Sequence, residues 1–248
     1  MPARAANGRA RIDLLWPPTE DAPVPRDIEG LDAAARALGG AVLGPREITA
    51  ALGFDPLAVL TPAEQKAAAR LPFGPADLER ARAAGEMLVL RVPRDPEGPL
   101  TMLRLAARLR AGLDPAVHKG VGYLLRPEWT IDDQPFAAEE TCMAGWWLVG
   151  REPLGETLNR AYADQERVLG AAPPDRPRRR SAPEIAFDTL LWERVHGERL
   201  LTAAWDWSRS VSTDQGYAAL GEFGPHGLRV IAYSRAVRFG TLGVCAQR

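Results

Sequence analysis

The stretch Tyr217-Ala-Ala-Leu-Gly-Glu-Phe223, the turn Gly224-Pro-His-Gly227 and the stretch Leu228-Arg-Val-Ile-Ala-Tyr-Ser234 decide the architecture. Two runs of strand length, rich in aliphatic and aromatic residues and joined by a glycine-bounded turn, read as an antiparallel hairpin. Successive side chains on a strand point to opposite faces. Ala218, Leu220 and Phe223 are therefore assigned to a core face and Tyr217, Ala219 and Glu222 to an outward one, while Leu228 and Val230 alternate with Arg229 and Ile231. Further strand-like runs at 200–207 and 242–247 extend this hairpin into a compact antiparallel sheet.

Upstream of the sheet, Ser181-Ala-Pro-Glu184 is a capping box, with a hydroxyl at the N-cap and a glutamate at the third helical position. It opens a helix whose face includes Ile185, Phe187, Leu190, Leu191 and Val195, and Gly197 stops it. His196 lies in the last turn, where the helix dipole favours a charged imidazole. The proline-rich residues 171–180 before this helix read as a linker, with Arg178-Arg179-Arg180 as a solvated run or a phosphate contact. Strands are expected at 86–92, 121–125 and 143–149, the last containing Trp146 and Trp147, and helices at 100–111 and 157–169. Residues 31–85 are helical in pattern, with a capping box at Thr61-Pro-Ala-Glu64 and another helix start at Gly74-Pro-Ala-Asp77. Residues 1–30 read as an irregular arm, with room for a short strand at 12–16. The class is α+β.

Composition removes several functional classes. With 46% hydrophobic and 25% charged residues, the chain is neither disordered throughout nor fibrous. The 31 basic and 32 acidic side chains leave a formal charge of -1, so specific nucleic-acid binding is not expected unless a local patch supplies it. No apolar run reaches the roughly 18 residues of a spanning helix. The first ten residues lack the apolar core of a secretory signal, so the expected location is cytoplasmic by default, with surface or phage display open.

Catalytic motifs are missing from the chain. There is no phosphate-cradling Gly-x-x-x-x-Gly-Lys, no dinucleotide glycine fingerprint, no His-Glu-x-x-His and no Gly-x-Ser-x-Gly. The histidines His118, His196 and His226 could join a nucleophilic site only through tertiary proximity. Cys142 and Cys245 are too few for a zinc site of thiolates and read as buried or rim thiols. The pairs Asp132-Asp133 and Glu139-Glu140 lack the alternating oxygen ligands of a calcium loop and read as polar loops. No cofactor and no metal are expected. Tryptophan is the richest signal: alternation puts Trp205 and Trp207 on one face, so both are core or both are surface, and core is favoured.

A set of short words in fixed order over residues 72–248 resembles a known group of bacterial proteins. They are Met87-Leu-Val-Leu-Arg-Val92, Pro99-Leu-Thr-Met102, Glu139-Glu-Thr141, Gly145-Trp-Trp-Leu-Val149, Tyr162-x-x-Gln165, Pro183-Glu-x-x-Phe-Asp188, Gly197-Glu-Arg-Leu-Leu201, Trp207-Ser208, Gly221-x-Phe223, Gly227-Leu-x-Val230 and Leu242-Gly-Val244 with Arg248. The group resembles the variable proteins of diversity-generating retroelements, whose C-type-lectin-like domain, of the formylglycine-generating-enzyme type, ends in a hypervariable region. That resemblance implies a C-type-lectin-like domain over 86–248, with small antiparallel sheets and flanking helices, preceded by an arm and helical region over 1–85. It also implies a variable region over 205–248, in which fixed scaffold residues alternate with rewritten ones. The chemistry of the formylglycine enzyme is not implied, because its paired cysteines have no matching motif here.

The function expected on these grounds is non-catalytic binding of an unidentified protein or other macromolecule through the C-terminal surface. The candidate ligand-binding residues are Trp207, Arg209, Val211, Asp214, Tyr217, Glu222, Arg229, Ile231, Tyr233 and Arg235, because aromatic and arginine side chains dominate interface energetics. Two alternatives remain at this level: a hydrolase using His226 or His118 with a carboxylate, and a phage-associated structural interaction protein.

Overall fold

A computed structural model describes residues 28–110, 123–124, 131–171 and 177–248. The expected strand at 12–16, His118, most of the strand at 121–125 and residues 172–176 of the linker lie outside the described residues. In chain order the elements are α1 (Leu31–Ala37), β1 (Val42–Leu43), α2 (Pro45–Leu52), α3 (Pro62–Ala68), α4 (Pro75–Ala83), β2 (Glu86–Arg91), β3 (Arg94–Asp95), β4 (Gly98–Pro99), α5 (Met102–Arg110) and β5 (Tyr123–Leu124). They continue with α6 (Pro135–Ala138), β6 (Gly145–Gly150), α7 (Tyr162–Gly170), α8 (Ala182–His196), β7 (Trp205–Val211), β8 (Tyr217–Gly224), β9 (Gly227–Tyr233) and β10 (Leu242–Gly243). The class is mixed α+β with small sheets, as the periodicities imply.

One sheet has the order β1-β2-β6, β2 and β6 running antiparallel from Glu86↔Gly150 to Arg91↔Gly145. The larger has the order β10-β7-β8-β9-β5. Its centre, β7-β8-β9, is antiparallel, but β10 lies parallel to β7 and β5 parallel to β9. This corrects the expectation of an all-antiparallel arrangement in which 242–247 is one strand. After β9 the chain crosses back over the sheet through 234–241, so it reaches the edge running the same way as β7. Only Leu242 and Gly243 pair there; Gln247 then bridges both Arg178 and Val149 of β6, tying the tail to the other sheet. The strand expected at 200–207 instead begins at Trp205, and the helix expected at 157–169 begins at Tyr162 behind a 3-10 turn at Gly155–Thr157.

Helix α8 sits between the sheets, touching β1 and β2 on one side and β7 and β8 on the other. Every residue from Ala182 to Trp192 is buried, which marks a central helix. Both caps are formed as the sequence implies. Ser181 Oγ accepts from Glu184 N while Glu184 Oε2 accepts from Ser181 N at 2.7 Å, and Gly197 closes the helix in the left-handed region at φ 66. The box at Thr61 and Glu64 forms likewise. Burial of Phe187, Leu190 and Leu191 on α8 with Leu88, Leu90 and Leu148 of the small sheet and Leu220 and Val230 of the large one makes a single core. Each such side chain contributes about 1.5–3 kcal/mol. That core runs on without a break across residue 85, through Ile48 of α2 and Leu78 of α4, and the Trp146 indole donates to Ala68 O at 3.0 Å.

Candidate functional site

The outward face of the large sheet is built in cross-strand rows. Val211, Tyr217 and Tyr233 stand opposite one another on β7, β8 and β9; Trp207, Ala219 and Ile231 form the next row; Leu242, Trp205, Gly221 and Arg229 form a third. Alternation is as expected for Ala218, Leu220, Leu228 and Val230, which lie in the main core; Phe223 joins them there through a register shift between Gly221 and Gly224. The opposite face is not bare, however. Trp205, Trp207, Tyr217, Ala219, Ile231 and Leu242 form a second apolar cluster, covered by Tyr162, Tyr233 and Val237.

The cover is a strap, residues 234–241, together with the first residue of α7. Tyr162 N donates to Arg235 O at 3.1 Å, Asn159 N to Phe239 O at 2.9 Å and Trp205 N to Thr241 O at 2.8 Å. Beneath it the Tyr162 ring lies 4.3 Å from Tyr217 and edge-on to Trp207 at 5.1 Å. The Arg179 guanidinium stacks on Tyr162 at 3.9 Å, and Arg235 lies 4.8 Å over Tyr217 while donating to its hydroxyl. Cations over ring faces are attracted by the ring quadrupole. Burial pushes the Tyr162 hydroxyl up to about 12, so it stays protonated at any physiological pH.

The ten candidate residues separate by depth. Trp207 is fully enclosed, its indole donating to Tyr217 O at 3.3 Å, and Tyr217 and Ile231 are also buried. These three form the floor of the face and reach no ligand while the strap is in place. Tyr233 is half-buried, edge-on to Phe239 at 5.3 Å. Arg209, Val211, Asp214, Arg229 and Arg235 are exposed and Glu222 is half-buried. Glu222 accepts from the Trp205 indole at 3.2 Å and pairs with Arg229, whose guanidinium lies 5.6 Å over the Trp205 ring. Arg209 reaches Glu184 at 3.5 Å, and Asp214 accepts from the Ser212 hydroxyl in the β7–β8 turn.

Behind this face is a buried ionic frame that the sequence reading did not find. Arg180 spans Asp188 of α8 at 2.6 Å and Asp206 of β7 at 2.7 Å. Arg91 of β2 grips the same Asp188 with two nitrogens, its Nε at 2.8 Å, and also donates to Gln247. Buried charges are tolerated only when paired and hydrogen-bonded. Here the coulombic pull of Asp188 and Glu184 on Arg91, and of Asp206 and Asp188 on Arg180, outweighs burial and raises both guanidiniums. Arg179 is enclosed as well, bound to Trp207 O, to Gln165 at 3.0 Å and to Glu166 at 2.6 Å. The arginine run is therefore neither a solvated loop nor a phosphate contact: Arg179 and Arg180 point inward, and only Arg178 is exposed, 4.8 Å over Trp147. The usable signal was Asp188, an acid four residues after Glu184 and flanked by Phe187, Leu190 and Leu191, a setting that demands an internal cation.

The other chemical candidates fall away from this face. His196 stacks on Trp192 at 3.9 Å, and partial desolvation lowers its pKa; the expected stabilisation of a charged imidazole by the helix end is overridden. His226 sits exposed in the β8–β9 turn. Cys142 and Cys245 are buried free thiols, pushed well up by burial. Asp132 and Asp133 lie in a 3-10 turn, and Glu140 accepts from Ser210 Oγ at 2.6 Å. Among the described residues no group of three His, Cys, Asp or Glu side chains could hold a metal ion. No described helix is long and apolar enough to cross a membrane. Compared with protein-family models, curated proteins and solved structures, the chain matches none of them.

Proposed function

We propose that this chain is a non-catalytic ligand-binding protein that engages its ligand through the outer face of the five-stranded sheet and the strap across it. In this reading it is the variable protein of a diversity-generating retroelement, and its C-terminal part is a C-type-lectin-like domain. One observation supports the reading above the others. Within 205–248, Gly221, Phe223, Gly227, Leu228, Val230, Leu242, Gly243 and Val244 are all buried, while Arg209, Val211, Asp214, Arg229 and Arg235 of the same stretch are exposed. A buried frame that leaves chemically miscellaneous residues exposed is what a surface needs if its contacts are to change without loss of the fold.

Two experiments test it. The DNA beside the gene should hold a near-duplicate of the codons for 205–248 that differs at adenines, next to a reverse transcriptase. A complete genome without that repeat ends the retroelement reading. Independently, a displayed library randomised at Arg209, Val211, Asp214, Arg229 and Arg235 should keep its cooperative melt in most members, whereas one randomised at Trp207, Tyr217 and Ile231 should lose it. Equal loss in both libraries would exclude a surface free to vary.

A further inference from the structure

The chain is almost neutral, yet from Phe223 to Arg248 it contains four arginines, Arg229, Arg235, Arg238 and Arg248, and no aspartate or glutamate. Three of these lie on the outer face or its strap. Arg229 is paired with Glu222. Arg235 donates to the Tyr217 hydroxyl with its guanidinium 4.8 Å over the Tyr217 ring, and among the described residues it makes no ion pair, so its position is fixed while its charge faces no described carboxylate. Arg238 has a side chain 61% exposed and lies 3.9 Å from Asp164, a carboxylate that Arg167 already holds more closely. Beside Arg238, Phe239 is 45% exposed, an unusual position for a large apolar ring. The row Val211-Tyr217-Tyr233 runs into Phe239, and its other end, Val211, is exposed too.

Extending the ligand-binding reading above, on which this rests, we propose that residues 234–241 dock an acidic segment of a protein partner. Carboxylates on that segment would meet Arg235 and Arg238, and an apolar or aromatic side chain would cover Phe239. A planar guanidinium binds a carboxylate in two-point fashion, and one already immobilised by stacking loses little freedom on doing so. Arginine with an aromatic neighbour is also the composition of interface hot spots. A single nucleic-acid strand fits less well, since it needs successive stacking rings along a basic groove and the strap offers one exposed ring.

The test uses the full chain and a fluorescent twelve-residue peptide of glutamates around two central tyrosines, with its glutamine analogue and a twelve-nucleotide oligothymidylate in parallel. The glutamate peptide should bind, weaken as salt is raised, and lose at least about tenfold in affinity for Arg235→Glu/Arg238→Glu. Phe239→Ala should weaken it by several-fold. Arg36→Glu/Arg82→Glu, with the same charge change on exposed faces of α1 and α4, should leave it unchanged. Arg235→Gln/Arg238→Gln, checked for an unaltered melt, guards against a folding defect. The proposal is overturned if wild-type protein binds the glutamate peptide no better than its glutamine analogue, if the α1/α4 control weakens binding as much as the strap variant, or if the oligothymidylate binds the strap more tightly. Any of these leaves the two-library result, and with it the broader ligand-binding reading, standing or falling on its own.

Discussion

Gly221 stands where β8 passes closest to the segment entering β7: a Cβ there would lie 2.1 Å from Ala204 O and 2.7 Å from Trp205 Cα. Both obstacles are backbone, so nothing small can move aside. Gly221→Ala should cost about 3 kcal/mol, the upper end of overpacking penalties, read as a lower urea midpoint with an unchanged slope. Gly240→Ala is the control, because a Cβ there meets nothing within 4 Å, and it should change stability by no more than about 0.5 kcal/mol. The same neighbourhood shows what periodicity can carry. Strict alternation from Leu220 would put Phe223 outward, yet Phe223 is in the core. Glu222 takes a positive φ of 41 and the register slips between Gly221 and Gly224, which turns the chain by one residue. The hydrophobicity of Phe223 was legible in the sequence; the bulge that satisfies it was not, because a bulge is set by the neighbouring backbone.

At the scale of the element, α8 combines readable and unreadable features. Its caps are local, made within three residues, and so appear in the sequence as Ser-x-x-Glu and glycine. Its ionic partners are not local: Arg91 is 97 residues from Asp188, and no pattern along one strand announces a guanidinium that will be buried. Glu184 supplies a pH test. Facing Arg91, Arg209, the Ser181 amide and the Cys142 thiol, its carboxyl is held below its ordinary 4.5 despite burial. A carboxyl lowered in the folded state contributes stability that is complete above its unfolded value and disappears as pH falls through the folded one. Asp95 and Glu64 are shifted the same way, by Arg108 and Arg104 and by Arg94 respectively. Asp206 has the opposite sign, since burial raises it above 3.8. Glu184→Gln should therefore be less stable by about 3 kcal/mol at neutral pH, and the gap from wild type should narrow as the pH is taken from about 5 down into the acid range. A gap that stays constant in thermal melts across that range would show that Glu184 is uncharged in the native protein.

Across the whole molecule, the two sheets and the central helix were visible as apolar runs and capping signals, while the covering of the outer face was not. The strap has no periodicity to read, and Val237 and Phe239 in it look like any loop residues until Tyr162 and Tyr233 meet them. That is why the candidate face was identified and its depth was not: Trp207, Tyr217 and Ile231 alternate correctly, but alternation does not say which outward residues a loop will cover. The last residues join both sheets. Leu148 N donates to Arg248 O, Gly150 N to Ala246 O and Cys245 N to Asp206 Oδ1. Removing residues 245–248 should expose the Leu148 and Gly150 amides to rapid hydrogen exchange while leaving those of α4 slow, and should lower the melt. If the Leu148 and Gly150 amides stay protected, the tail is not what closes the small sheet.

The grip of Arg91 on Gln247 spans 156 residues of chain. Contacts of such separation cannot form during synthesis until the later partner has left the ribosome, and their loop-closure entropy slows folding afterwards. Arg91 is made 97 residues before Asp188, so until α8 has been synthesised its guanidinium exists without the carboxylates that neutralise it. The charge pairs of that centre can all close once β7 has been made, and the neutral amide of Gln247 then adds a further acceptor to a guanidinium that is already paired.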